Sequence, residues 1–160
     1  MESLFDFDWW QVWIHFYMLA IALILSLPVA LNREYHTRGA GLRTFPLVAI
    51  ASCAYMLVGR QVYGGAEPEA RVMYGIITGI GFIGGGAILK GKNHIIGTAT
   101  AASIWNTAAI GVSVAYSRYE IAVTLSLVNF MILQFAEPLK RRNRDQRTKV
   151  DATNEQNRNL

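Results

Sequence analysis

The glycines between positions 75 and 86 are the first residues whose spacing matches a chemical motif. Gly79-Ile80-Gly81-Phe82-Ile83-Gly84 reads G-x-G-x-x-G, the pattern that in dinucleotide sites brings a pyrophosphate against the backbone at a helix N-terminus. That chemistry needs a strand before the glycines, a helix after them and an acidic residue about twenty positions on. No Asp or Glu occurs between Glu69 and Glu120. Close helix packing is the better reading, because Gly75-x-x-x-Gly79 and Gly81-x-x-x-Gly85 have the small-x-x-x-small spacing that lets backbones approach in lipid. Gly84-Gly85-Gly86 leaves one alternative, a broken helix that turns carbonyls toward a cavity, as at transporter midplane sites.

Other chemistry is scarce. Cys53 is the single cysteine and lies in an apolar run, which excludes an internal disulfide or a cysteine-rich metal site. No paired acid, activated nucleophile or metal-binding constellation is present, so the chain is read as neither an enzyme nor a holder of a metal or cofactor. Within the apolar runs the polar residues are few, with Thr78, Trp105 and Asn106 the candidate polar membrane cluster and Thr98, Thr100, Ser103, Thr107, Ser126 and Asn129 around them. Interhelical hydrogen bonding is their plainer role, and a ligand site the sharper one. His15 reads as a residue of the interface rather than a metal ligand.

The densest polar stretch is Asn32-Arg33-Glu34-Tyr35-His36-Thr37-Arg38, followed by Gly39-Ala40-Gly41-Leu42-Arg43-Thr44. Arg33, Glu34, Arg38, Arg43 and Thr44 are its candidate functional residues. A carboxylate among three guanidinium groups is expected to be ion-paired and to act as a structural clamp, which makes it a poor Mg2+ ligand.

Composition says what must position these groups. Of the 160 residues 52% are hydrophobic and only 16% charged, against the quarter typical of soluble domains. Five runs hold no Lys, Arg, Asp or Glu: Val12 to Leu31, Phe45 to Gly59, Val72 to Leu89, Ile95 to Tyr116 and Ile121 to Phe135. A helix of about 20 residues spans the roughly 30 Å hydrocarbon layer. The first, third and fourth runs meet that length. The second and fifth reach it by borrowing neighbours, as Leu42 to Val62 with Arg43 and Arg60 snorkelling at its ends and as Tyr119 to Leu139; otherwise they are re-entrant or interfacial helices.

Lys and Arg set the orientation. The segment before the first run carries Glu2, Asp6 and Asp8 and no base, whereas Arg33, Arg38 and Arg43 follow it. Counting alternate connections, twelve bases fall on one side, seven of them after Pro138, and three on the other. The positive-inside rule therefore puts the N-terminus outside and the C-terminus in the cytoplasm, which five spans satisfy. The acidic start and the lack of a small-x-small cleavage site argue that the first helix is retained. A net charge of +4 resides in these loops, and no aromatics interleave with the bases, so lipid headgroups rather than nucleic acid are the expected partner.

Residue size sorts the helices. The first is bulky, with Trp9, Trp10, Trp13 and Tyr17 forming an interfacial belt, and reads as lipid-facing. The third carries Gly75, Gly79, Gly81, Gly84, Gly85 and Gly86, and the fourth opens Gly97-Thr98-Ala99-Thr100-Ala101-Ala102-Ser103. Small residues place both at the centre of the bundle, with a face on the third open to a homodimer.

Asn32-Arg33-Glu34-Tyr35, Ala40-Gly41-Leu42-Arg43-Thr44, the glycine run from Gly79 to Gly86, Thr100-Ala101-Ala102-Ser103-Ile104-Trp105 and Ala108-Ala109-Ile110-Gly111 together resemble the membrane domain of the MgtC/SapB family. The resemblance runs from about Leu25 to Gly111. It implies a multi-pass protein of the bacterial inner membrane, linked in several members to magnesium homeostasis in low Mg2+ and to virulence through survival inside host cells. Some members are thought to restrain the proton-driven ATP synthase rather than carry Mg2+. Longer members add a soluble cytoplasmic domain where this sequence has the 22 residues Leu139–Leu160, too poor in apolar residues to form a core.

The expectation is thus an all-α polytopic membrane bundle of about five transmembrane helices over residues 1–138. A basic cytoplasmic tail, disordered or a frayed helix, occupies 139–160. Its expected function is regulation of another membrane complex such as ATP synthase, and the alternative is a small transporter or channel for Mg2+ or another solute.

Overall fold

A computed structural model describes residues 8–36, 40–90 and 95–135. Arg38 and the expected tail, 139–160, lie outside the described residues. The elements in order are α1 (Trp9–His36), α2 (Thr44–Tyr63), α3 (Ala66–Gly86), β1 (Leu89–Lys90), β2 (Ile95–Ile96) and α4 (Thr98–Ala115). A fifth helix, α5, is described over Tyr119–Phe135. Among the described residues the regular structure is all-helical apart from one hairpin, in which Leu89 pairs with Ile96 and Lys90 with Ile95.

Helix α1 begins where Asp8 Oδ1 accepts the Trp10 amide at 2.9 Å, satisfying a donor that the first turn leaves open. Of its buried residues, all but Asn32 (Ala22, Ser26, Val29, Ala30 and Arg33) recur at three- and four-residue spacing, which puts them on one face. The other face exposes Trp9, Trp10, Trp13, Phe16, Tyr17 and Ile24. The aromatic half of α1 therefore faces outward as its composition suggests, while its second half packs into the bundle.

The centre belongs to α4. Ten of its 18 residues are buried, and two clusters meet on it: Ile110, Val114 and Ala115 with Ala22, Cys53, Met56 and Ala122, and Ile104 and Ala108 with Val29, Phe45, Ile80 and Leu133. Gly111 makes the tightest crossing, because a Cβ there would collide with the carbonyl oxygen of Ala49 on α2 and lie 3.0 Å from the Cys53 amide nitrogen. Helix α3 does not share the centre. Only Ile80 and Gly84 of its residues are buried, so the expected central pair of α3 and α4 becomes a central α4 with α3 at its flank.

Two boundaries also differ from the sequence reading. Ile95 and Ile96 form β2, and α4 starts only at Thr98, after Gly97 at φ +88°. Helix α3 runs unbroken to Gly86, where the Ala87 and Ile88 amides donate to the Gly84 and Gly85 carbonyls at 3.1 Å each. The triple glycine closes a helix end instead of opening a break within a span.

Polar groups hold α5 to its neighbours. Ser103 Oγ donates to Asn129 Oδ1 at 3.2 Å, Asn106 Nδ2 to the Leu125 carbonyl at 3.3 Å, Ser126 Oγ to the Leu25 carbonyl at 2.6 Å, and Asn32 Nδ2 to Gln134 Oε1 at 3.0 Å. Such bonds contribute about 0.6 kcal/mol each in an apolar surround. Asn106→Leu is accordingly expected to lower stability by about that amount, and a thermal midpoint in detergent shifted by less than a few degrees checks it.

Among the described residues two helices are long and apolar enough to cross a membrane, α1 over Trp9–Tyr35 and α2 over Thr44–Tyr63. Helices α3 and α4, which the charge-free runs made full spans, are not among them: α3 opens with Glu67, Glu69 and Arg71, and threonine, serine and asparagine dilute the hydropathy of α4. Exposed apolar side chains nonetheless cover every helix, including Tyr74 and Phe82 on α3, Trp105 on α4 and Ile132 and Phe135 on α5. An apolar surface this continuous is expected in lipid, not in water.

Candidate functional site

The six glycines of α3 divide by what a side chain would meet. A Cβ at Gly84 would lie 3.3 Å from the Ala101 carbonyl oxygen, so Gly84 serves the contact with α4. At Gly75, Gly79, Gly81, Gly85 and Gly86 nothing lies within 4 Å. The packing of the described residues does not require these five to be small. At about 100° per residue Gly75, Gly79 and Gly86 share one side of α3, whereas Gly81 and Gly85 lie on another with Tyr74 and Thr78.

The first of these sides borders a groove of about 730 Å³ between α2 and α3. Leu47, Ala51 and Tyr55 of α2 form one wall, and Gly75, Gly79 and Ile83 of α3 form much of the other. Toward the α2–α3 turn the helices close up, since a Cβ at Gly59 would lie 3.0 Å from Val72 Cγ2. At the opposite end stand Arg43 and Thr44, and among the described residues Arg43 is the only charged one that lines the groove.

The expected polar membrane cluster separates. Thr78 is exposed and its Oγ1 donates to the Tyr74 carbonyl of its own helix at 2.9 Å, Trp105 is exposed, and Asn106 turns to α5. Polar groups do gather inside, but as Ser103, Thr107 and Asn129, where Thr107 Oγ1 donates to the Ser103 carbonyl at 2.8 Å and Asn129 Nδ2 is buried without a hydrogen-bond acceptor among the described residues.

The motif between α1 and α2 is a turn-closing device. Glu34 accepts the Leu42 amide at 3.0 Å, and the Thr44 and Phe45 amides donate to the Gly41 carbonyl at 3.1 and 3.2 Å. Gly41 is needed there because a Cβ would strike the Glu34 carboxylate. The clamp expected of Glu34 thus acts on the backbone of the connection. Arg33 is buried at the end of α1, and Arg43 is exposed at the N-cap of α2.

At the other end of the bundle Arg60 Nη1 donates to the Ala115 carbonyl at 2.5 Å, and its guanidinium stands 4.9 Å from the centre of the Tyr116 ring. The Tyr116 hydroxyl donates to Glu69 Oε2 at 2.8 Å, so α2, α3 and α4 are joined there. Sequence reasoning placed Arg60 at a membrane edge but gave it no partner. It quoted Gly111 only within a family motif and did not read it as a packing residue, although Thr107-x-x-x-Gly111-x-x-x-Ala115 carries the same small-residue spacing as α3. Among the described residues no group of three or more His, Cys, Asp or Glu is placed to hold a metal ion.

Comparison with known proteins places this arrangement among relatives. The chain is 34% identical over 124 residues to the Escherichia coli (strain K12) protein named "Putative magnesium transporter YhiD", covering 72% of this chain and 57% of that protein. It is 30% identical over 138 residues to protein SrpB of Synechococcus elongatus, covering 78% and 76%. Over 94 residues it is 39% identical to protein MgtC of Brucella abortus, covering 59% and 39%. The chain thus spans little more than half of YhiD and about two fifths of that MgtC. No solved structure matches it. The family model for the MgtC family matches residues 19–142, from within α1 past the described end of α5, and the chain belongs to that family.

Proposed function

We propose that this chain is a multi-pass protein of the bacterial inner membrane, with its N-terminus outside and its C-terminus in the cytoplasm, that regulates another membrane complex by docking a helix of it against α3. The observation that carries this reading is the open space at Gly81 and Gly85. Glycine disfavours a helix by about 1 kcal/mol relative to alanine, so glycines that the fold itself leaves unused are accounted for by a close-packed neighbour outside it. Exposed Tyr74 on the same side offers an aromatic ring, and Thr78 a hydroxyl, to that neighbour. The distribution of bases supports the topology, and membership of the MgtC family supports a role in Mg2+-related physiology. The family resemblance makes ATP synthase the first complex to test.

Transport of Mg2+ or another solute is the second reading, favoured by the name given to YhiD. Against it, the acids among the described residues, Asp8, Glu34, Glu67, Glu69 and Glu120, all lie at or near helix ends, whereas ion pathways use carboxylates within the span.

The test compares the full chain with a Gly81→Leu/Gly85→Leu variant, each captured from native membranes in mild detergent at equal membrane levels. The expected result is stoichiometric recovery of a membrane complex with the parent and a loss of at least tenfold with the variant. Recovery of the same proteins by both, or of this chain alone, would contradict the reading. Gly84→Leu is the contrasting control, because it strikes α4 and should lower the level of folded protein itself.

A further inference from the structure

We propose that the groove between α2 and α3 binds one acyl chain of an anionic phospholipid, with the lipid phosphate held by Arg43 and Thr44. Beyond Arg43 and Thr44 the groove's lining is apolar apart from Ser52 and the Tyr55 hydroxyl, and among the described residues its single charge stands at one end. Its walls run from Thr44 to Tyr55 on α2, eleven residue steps or about 16 Å of helix, which is a slot of acyl-chain length. Gly75 and Gly79 supply the width, since neither carries a side chain into the space and nothing lies within 4 Å of where one would stand.

The slot narrows to the Gly59–Val72 contact, where α2 and α3 touch. A helix with its side chains is about 10 Å across and does not fit such a wedge, whereas a single hydrocarbon chain tapers into it. This distinguishes the groove from the Gly81 and Gly85 side of α3, which lies outside it.

The chemistry at the wide end favours an anion. Arg43 is exposed, and no ion pair or hydrogen bond joins its guanidinium to the described residues. It stands at the N-cap of α2, a helix that starts without a side-chain cap, so the positive end of the helix dipole adds to its charge. A guanidinium binds phosphate oxygens in bidentate fashion, and the Thr44 hydroxyl beside it is a further donor. On the topology proposed above this end faces the cytoplasmic leaflet, but the binding argument holds for either orientation.

The experiment uses the full chain purified in mild detergent and depleted of lipid, titrated with phosphatidylglycerol or phosphatidylethanolamine and read by native mass spectrometry. The parent is expected to retain one phosphatidylglycerol in preference to phosphatidylethanolamine. Arg43→Gln should weaken phosphatidylglycerol binding about tenfold and remove the preference. Gly79→Leu should fill the slot and weaken both lipids, while Arg118→Gln, at the other end of the bundle, should bind as the parent does. Circular dichroism and a monodisperse elution profile establish that each variant is folded. Folded Arg43→Gln and Gly79→Leu chains that bind both lipids like the parent would overturn the proposal. So would full competition by millimolar inorganic phosphate, which would mark a site for free phosphate. Failure here would leave the Gly81 and Gly85 docking reading untouched, since its variants lie on the other side of α3.

Discussion

Leucine in place of Gly111 should prevent the bundle from closing. The carbonyl oxygen of Ala49 and the amide nitrogen of Cys53 occupy the space where its Cβ would stand, and both are backbone atoms within α2. A flexible side chain could swing away from such an intrusion; two helix backbones can only separate. Separation would strip Met56, Ile110 and Val114 of the contacts that bury them completely. Overpacking a core costs about 1–3 kcal/mol for an added methylene or two, and leucine adds four carbons at the tightest point, so a loss of at least about 3 kcal/mol is expected. The measure is the fraction of detergent-solubilised chain that elutes as a single species and its thermal midpoint. Gly81→Ala gives the contrast, expected to hold or slightly raise the midpoint because alanine meets nothing there and favours the helix. Equal midpoints for Gly111→Leu and the parent would refute the crossing.

Gly97→Ala is the second large effect, through a different cause. Gly97 sits at φ +88°, a backbone conformation that costs an L-residue about 1–2 kcal/mol, and its Cβ would collide with the carbonyl oxygen of Ala87. The residue joins β2 to α4, and its own carbonyl accepts the Ala101 amide at 2.8 Å. A side chain there must push the hairpin away from the end of α3 or unwind the first turn of α4. The combined cost is about 3 kcal/mol, with proteolysis of the β1–β2 connection expected to accelerate well before global unfolding. Unchanged cleavage and stability would show that the hairpin is not held as described.

What could be read from the sequence was what depends on local composition. The charge-free runs delimit five helices, since an apolar stretch of that length has few stable forms in lipid other than a helix. The belt of Trp9, Trp10, Trp13 and Tyr17 was legible for the same reason, and these residues are exposed. The center of the bundle was not. Gly75-x-x-x-Gly79 and Thr107-x-x-x-Gly111 look alike as strings, and spacing says only that a close approach is allowed, not which neighbour takes it. The structure gives Gly111 its neighbour in α2 and leaves Gly79 open.

The hairpin was illegible because two-residue strands carry no periodicity, and Ile95-Ile96 reads equally well as the start of an apolar helix. Glu34 stands among three arginines in sequence, and what the spacing did not show is that its carboxylate also accepts the Leu42 amide eight residues away, a contact set by the turn at Gly41. Thr78, Trp105 and Asn106 were grouped by depth along the chain, but they point to different surroundings, since position along a helix does not fix the direction around it.

The central claim is that the Gly81 and Gly85 side of α3 is a docking surface for a membrane protein. Its most direct test is a photo-reactive amino acid at Thr78, which is exposed on that side, activated in native membranes, with the same probe at Leu127 on α5 as reference. The account predicts a discrete cross-link from position 78 to one subunit of another membrane complex, absent from Leu127 and lost when Gly81→Leu/Gly85→Leu is combined with the probe. Cross-links from position 78 to lipid alone, or to the same proteins with and without the leucines, would contradict it.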